Sequence, residues 1–142
     1  MSLPQLPKPA KLVVGLFMKD KGLIQPVAEV LAGKFGNPDV VSAWFPFDFT
    51  AYYQNEMGAP LFRRMFAFKE LIQQDDLAEI KIGTNAIEQK YTLHGKRRVN
   101  IDPGYMLLER FVLATGKNFS HRIYIGKGIY ADLTLVYEKG DF

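Results

Sequence analysis

"KLVVGLFM", residues 11 to 18, is apolar at nearly every position and contains adjacent β-branched side chains. A strand with one wet face alternates apolar and polar residues. This stretch offers apolar groups to both sides, which predicts a strand buried in the middle of a sheet. C-terminal to it, Ile24, Val27, Ala28, Leu31 and Phe35 recur at the three- and four-residue spacings of one helical face. Pro26 is tolerable in the first turn, and "GNP" after Phe35 supplies a left-handed stop followed by proline. Asp20 and Gly22 provide the short loop between strand and helix.

Residues 39 to 45, "DVVSAWF", predict a second strand, and residues 61 to 69, "LFRRMFAFK", a third. In the third, Phe62, Phe66 and Phe68 share one side with Arg64 as the exception, while Arg63, Met65, Ala67 and Lys69 take the other. Lys34, Arg63, Arg64 and Lys69 read as solvated charges. Between these strands, "PFDFTAYYQNEMGAP" (46 to 60) is too long for a tight hairpin and predicts one helical turn from about Ala51 to Met57. Connections of that length often carry function.

A second helix is expected from "QDD" onward, with Leu77, Ile80, Ile87 and Tyr91 at helical spacing and Gly95 able to end it. Gly83 is its weak point, costing about 1 kcal/mol against alanine. Residues 96 to 101 predict a fourth strand. The order strand, helix, strand, strand, helix, strand is that of a ferredoxin-like split β-α-β core, in which an antiparallel sheet carries both helices on one face. The fold class expected is therefore α+β, extended by a C-terminal hairpin formed by residues 121 to 125 and 129 to 137 around "GKG". Periodicity leaves residues 105 to 114, "YMLLERFVLA", open between helix and strand.

With 142 residues, the expectation is one α+β domain over 11–142, preceded by a mobile arm over 1–10 that is rich in proline. The formal charge of +3 favours an anionic partner only weakly. Cysteine is absent, which excludes disulfides, zinc-cysteine sites and a thiol nucleophile, and two histidines make a histidine-rich metal site improbable. The apolar runs are too short to span a bilayer and no secretory signal is recognisable, so the default expectation is a cytoplasmic protein with no membrane partner. A homo-oligomer is left open.

Alternation along "KRRVNIDPGY" (96 to 105) places Arg98, Asn100 and Asp102 on one face, a row of donor, amide and carboxylate suited to a polar ligand. The plainer alternative is a wet sheet face with Asp102 opening an Asp-Pro-Gly turn. In the hairpin, Arg122, Tyr124, Tyr130 and Asp132 share a face, and Ile123, Ile125, Ile129, Ala131, Leu133 and Leu135 are assigned to the core. His121 is a candidate acid or base, although a single histidine is more often structural. Asp48, Tyr52, Tyr53 and Glu56 in the long connection join these residues as candidates. Asp48 and Glu56 with Asp102 and Asp132 could hold magnesium, but no metal-binding spacing supports it.

"KGIYADLTL", from Lys127, has a faint likeness to an RNA-recognition strand, but Ile129 and Ala131 stand where stacking rings belong. No phosphate loop, dinucleotide fingerprint, nucleophile elbow or zinc-protease motif is present.

Taken together, "PKPAKLVVGLF", "FPFDFTAYYQNEMG", "LFRRMFAF", "GKRRVNIDPGY", "VLAT" and "HRIYIGKGIYADLTLVYEKGDF" resemble, from about Pro7 to Phe142, an uncharacterised prokaryotic family catalogued as domain of unknown function 4416. The resemblance carries no reaction. A "GTP-binding" label borne by some relatives does not transfer, since the guanine motif N-K-x-D is absent too. Members continue past the position matching Phe142, so the resemblance implies a missing C-terminal tail or an exposed apolar patch. It implies a shared site among Asp48, Tyr52, Glu56, Arg97, Arg98, Asn100, Asp102, His121, Arg122, Lys127 and Asp132. The functions expected are binding of an anionic small molecule, such as a nucleotide or phosphorylated metabolite, on the polar sheet face; metal-assisted phosphate-ester hydrolysis or transfer in the same pocket; or an RNA-binding or assembly module.

Overall fold

A computed structural model describes residues 1–140. It is an α+β structure whose main sheet has eight strands. In chain order the elements are β1 (Ala10–Met18), α1 (Ile24–Phe35), β2 (Pro38–Val41), β3 (Phe45–Pro46), α2 (Gln54–Met57), β4 (Phe62–Ile72), α3 (Leu77–Lys90), β5 (Thr92–Leu93), β6 (Lys96–Arg97), β7 (Val99–Met106), β8 (Arg110–Thr115), β9 (Arg122–Gly126) and β10 (Ile129–Val136). The sheet runs β2-β4-β1-β7-β8-β10-β9, with β3 on β4, and every pairing is antiparallel. β1 lies between β4 and β7, as its two-sided apolar sequence requires.

One face of β1 meets both long helices. Leu12, Val14, Leu16 and Met18 form the main core with Val27 and Leu31 of α1, Ile80 and Ile87 of α3, Phe66 and Phe68 of β4, and Val99 and Ile101 of β7. The other face carries Gly15 and Phe17. Phe17 packs beneath Phe47, Tyr53, Met57 and Leu61. The 46–60 connection is therefore a cover, pinned by Phe17 stacking on Phe47 at 4.2 Å between centroids.

Three local expectations are corrected, and one segment left open is resolved. Strand 39–45 is split into β2 and β3 by Ser42, whose carbonyl and hydroxyl bond Arg64 and the Met65 amide. Arg64 is thereby held on the helix side, with its guanidinium 5.2 Å from the Trp44 ring centroid. Residues 105–114 form neither one helix nor one strand, because the chain turns at Leu108–Glu109, where the Leu107 amide bonds the Arg110 carbonyl.

No Asp-Pro-Gly turn forms. Pro103 and Gly104 continue β7 opposite Val14 and Val13. The amide of Ile101 points away from β1 toward Glu88, so the nitrogen of Pro103, two residues on, points the same way. Pairing with β8 begins only at Gly104, and the missing donor costs no ladder bond. Gly104 is required there, since a Cβ would lie 2.5 Å from the Val112 carbonyl oxygen.

The hairpin turns at Lys127 and Gly128, both with positive φ, as a tight two-residue connection needs. Its expected core face is only partly core. Ile129 is buried and Ala131 packs toward α3, but Ile123, Ile125 and Leu133 are exposed because α3 does not cover them, and the register shift after Leu133 turns Leu135, opposite Phe111, to the other face. Gly83 does not divide α3.

Candidate functional site

The helix-free face collects the polar side chains. Strand 96–101 is interrupted by a bend at Arg98, which breaks the alternation expected there. As a result Arg97, rather than Arg98, joins Asn100 and Asp102. Its guanidinium donates to Glu56 at 2.8 and 2.9 Å, to Asn100 Oδ1 at 2.9 Å and to Glu88 at 3.3 Å. Asn100 Nδ2 in turn donates to Asp102 Oδ2 at 2.9 Å. Glu56 also accepts the Arg97 amide, so α2 is tied to the start of the fourth strand region through one carboxylate.

Glu88 ends the network on the helix side. It accepts the Ile101 amide at 2.7 Å, while Lys81 Nζ donates to the Ile101 carbonyl at 3.2 Å. These two α3 side chains occupy the stretch of β7 edge that β8 leaves unpaired. Burial holds the Glu88 carboxyl above the usual glutamate range despite the Ile101 amide, Lys81 and Arg97. Arg97 has the opposite effect on the half-exposed Glu56, holding it below that range.

Arg63 stands apart. It faces Phe17 on β1, lies over Gly15 and has the Phe47 ring 5.4 Å from its guanidinium carbon. A Cβ at residue 15 would come within 2.9 Å of its Nη2, so the glycine leaves the space that this side chain fills. Its nearest carboxylate oxygen, on Asp102, is 4.0 Å away, beyond hydrogen-bond range. Its Nε is buried without a partner. Nearby, Lys117 Nζ donates to the Tyr52 hydroxyl at 2.9 Å, lowering the phenol's pKa, whereas burial and Asp102 raise that of Tyr53.

The expected site residues thus fall into separate groups. Glu56, Asn100 and Asp102 belong to the Arg97 network, and Tyr52 borders it. His121 and Arg122 both contact Asp132 Oδ2, at 3.1 and 3.0 Å, forming a second cluster on the same sheet face. Lys117 lies between the two, since its carbonyl accepts from Arg122 while its ammonium reaches Tyr52. Arg98 pairs with exposed Asp20 at 3.4 Å, and Lys127 with Glu79 at 3.7 Å. Tyr124 packs on Tyr130 and accepts from the Gly128 amide. Asp48 is exposed and makes no hydrogen bond or ion pair among the described residues.

Two hollows, of about 280 and 1210 Å³, lie elsewhere, one beside α3 and one between the N-terminal arm and the β7–β8 turn; neither touches Asp102 or Asp132. Among the described residues, no three His, Asp or Glu side chains gather as a metal site, and no helix is long and apolar enough to cross a membrane.

The sequence reasoning missed Arg63, Glu88 and Lys117. Strand alternation already put Arg63 on the side away from the phenylalanines, which was the available signal. Lys117 gave none.

Fold and site together define an α+β protein with a dry, helix-covered sheet face and an opposite face built around arginines. The chain belongs to the family described as a domain of unknown function (DUF4416), which matches it over residues 8–142. No curated protein and no solved structure matches it.

Proposed function

We propose that this chain binds an anionic small molecule, of the nucleotide or phosphorylated-metabolite class, on the helix-free sheet face beside the 46–60 cover. The observation that carries this reading is Arg63, whose guanidinium makes no hydrogen bond among the described residues and keeps a buried Nε without an acceptor. A buried donor left unpaired costs about 1–3 kcal/mol, more when charged, so such groups call for an explanation. A phosphate or carboxylate supplies paired oxygens that match the guanidinium fork. Lys117 adds positive charge, and Phe47, Tyr52 and Tyr53 offer rings against which a base can pack.

We also infer that the chain from about residue 11 is one domain with a ferredoxin-like split β-α-β core extended by a hairpin. The antiparallel order β2-β4-β1-β7 and the packing of α1 and α3 on one face support this.

Thermal shift against a panel of nucleotides and phosphometabolites, with and without magnesium, tests the binding reading, because a ligand of the folded state raises its melting temperature. The expected result is stabilisation by at least one anion that Arg63→Gln loses. If no compound shifts the wild type, or Arg63→Gln responds equally, the reading fails. Binding of single-stranded RNA that weakens steeply with salt would favour the nucleic-acid alternative instead.

A further inference from the structure

The surroundings of Arg63 include a carboxylate. Asp102 stands opposite Gly15 in β7, and Arg63 reaches over the same glycine from β4, so the two side chains approach each other across a strand position that has no side chain of its own. Their closest atoms, Nη2 and Oδ2, are 4.0 Å apart, and the charges face each other without a hydrogen bond. Both side chains are partly open to solvent, at 21% and 31% exposure, so one small molecule can reach both.

Asp102 is held in this position. Arg97 donates to Asn100 Oδ1 at 2.9 Å, which turns Asn100 Nδ2 toward Asp102 Oδ2, also at 2.9 Å. That bond engages one carboxylate oxygen, and Oδ1 accepts no hydrogen bond among the described residues. A bare phosphate on Arg63 would therefore lie against a fixed negative charge, in a partly buried place where water screens the repulsion poorly. A hydroxyl beside the phosphoryl group changes the sign of that contact, because it donates to the carboxylate. An ammonium in the same place would satisfy Asp102 but would be repelled by Arg63; a neutral hydroxyl meets no like charge. From the cover, Tyr53 adds a phenol whose proton is retained, since burial and Asp102 both raise its pKa.

We propose that Asp102 is a specificity-determining residue, which makes this site select a phosphate ester bearing a hydroxyl close to its phosphoryl group, of the sugar-phosphate kind, and reject bare anions. The inference rests on the anion-binding reading and narrows its ligand class. Specificity of this sort comes from a group that repels the wrong ligand as well as from one that attracts the right one.

Calorimetric titration of the full chain tests it with matched pairs, ribose 5-phosphate against methyl phosphate and AMP against its dideoxy analogue, with phosphoethanolamine as the ammonium-bearing ester. The hydroxylated member should bind at least about tenfold tighter, the size of one hydrogen bond to a charged group. Asp102→Asn, which keeps the shape and an acceptor for Asn100, should bind methyl phosphate more tightly than the wild type and the hydroxylated esters more weakly. A gain for one ligand beside a loss for another cannot come from misfolding. Equal binding within the pairs, a uniform loss in Asp102→Asn, or a preference for phosphoethanolamine would overturn the proposal. If those results came with binding that Arg63→Gln abolishes, the anion-binding reading would stand without it. Failure of both hydroxylated esters to bind would also overturn it, and the wider metabolite panel would then judge that reading separately.

Discussion

Gly15 and Leu16 are neighbours in the chain and point into opposite environments. Leu16 enters a core closed on every side by α1, α3 and the strands beside it, where the only demand is shape. Gly15 underlies a surface of arginines, carboxylates and rings, where each group must be satisfied by a partner. The helix side is complete within the chain. On the other side, among the described residues, Arg63 Nε is a buried donor without a partner, and the proposed binding role falls to that face while the closed core falls to the first.

The largest expected effect falls on the helix side. Leu16→Ala should cost about 2–5 kcal/mol in chemical denaturation, because the fully buried site cannot collapse around the cavity. A loss under 1 kcal/mol would mean that this face is less tightly packed than described.

Next comes the contrast between consecutive arginines. Arg97→Ala removes bonds to Glu56, Asn100 and the buried Glu88 and should cost about 1–3 kcal/mol, discounted for its partial exposure. Arg98→Ala breaks one exposed pair and should stay within about 0.5 kcal/mol. Equal losses would erase the distinction that the bend at Arg98 creates.

The two glutamates that meet Arg97 should pull stability in opposite directions with pH. Glu88 has a folded pKa raised above the ordinary 4.5, so its effect is most favourable below that value and is lost as pH rises through the raised one. Glu56 is lowered from the same 4.5, so its contribution is present above 4.5 and is lost as pH falls through the lowered value. Denaturation of Glu88→Gln at several pH values should show a flatter decline above pH 4.5 than the wild type. An unchanged profile would deny Glu88 its buried character.

A small stability effect should also come from Gly15→Ala. The new methyl meets the movable end of Arg63 rather than backbone, so the fold should lose no more than about 1 kcal/mol, while the thermal shift given by a stabilising anion should fall sharply. A variant that keeps that shift in full would separate Gly15 from the site.

Much of the helix side was legible in the sequence, because burial on both faces of residues 11–18 and helical spacing from Ile24 to Phe35 are one-dimensional signals. The turn at Leu108–Glu109 was not, since neither residue has the φ freedom or side-chain bonding that marks a turn. The site was half legible. Asn100 and Asp102 followed from alternation, but the bend at Arg98 exchanged the two arginines. Arg63 looked like a solvated charge because the cover that buries it, Phe47, comes from a distant segment. Cross-chain burial of this kind has no periodicity to read.

The most direct test of the central claim is the NMR signal of the Arg63 Nε–H group during titration with inorganic phosphate and with nucleoside mono- and triphosphates. The account predicts that this resonance moves and exchanges more slowly with water as one of these anions accepts from Arg63 Nε, while that of Arg97, already bonded to Glu56, changes little. An Arg63 signal untouched by all of them, or shifts confined to Arg98 and the surface lysines, would contradict it.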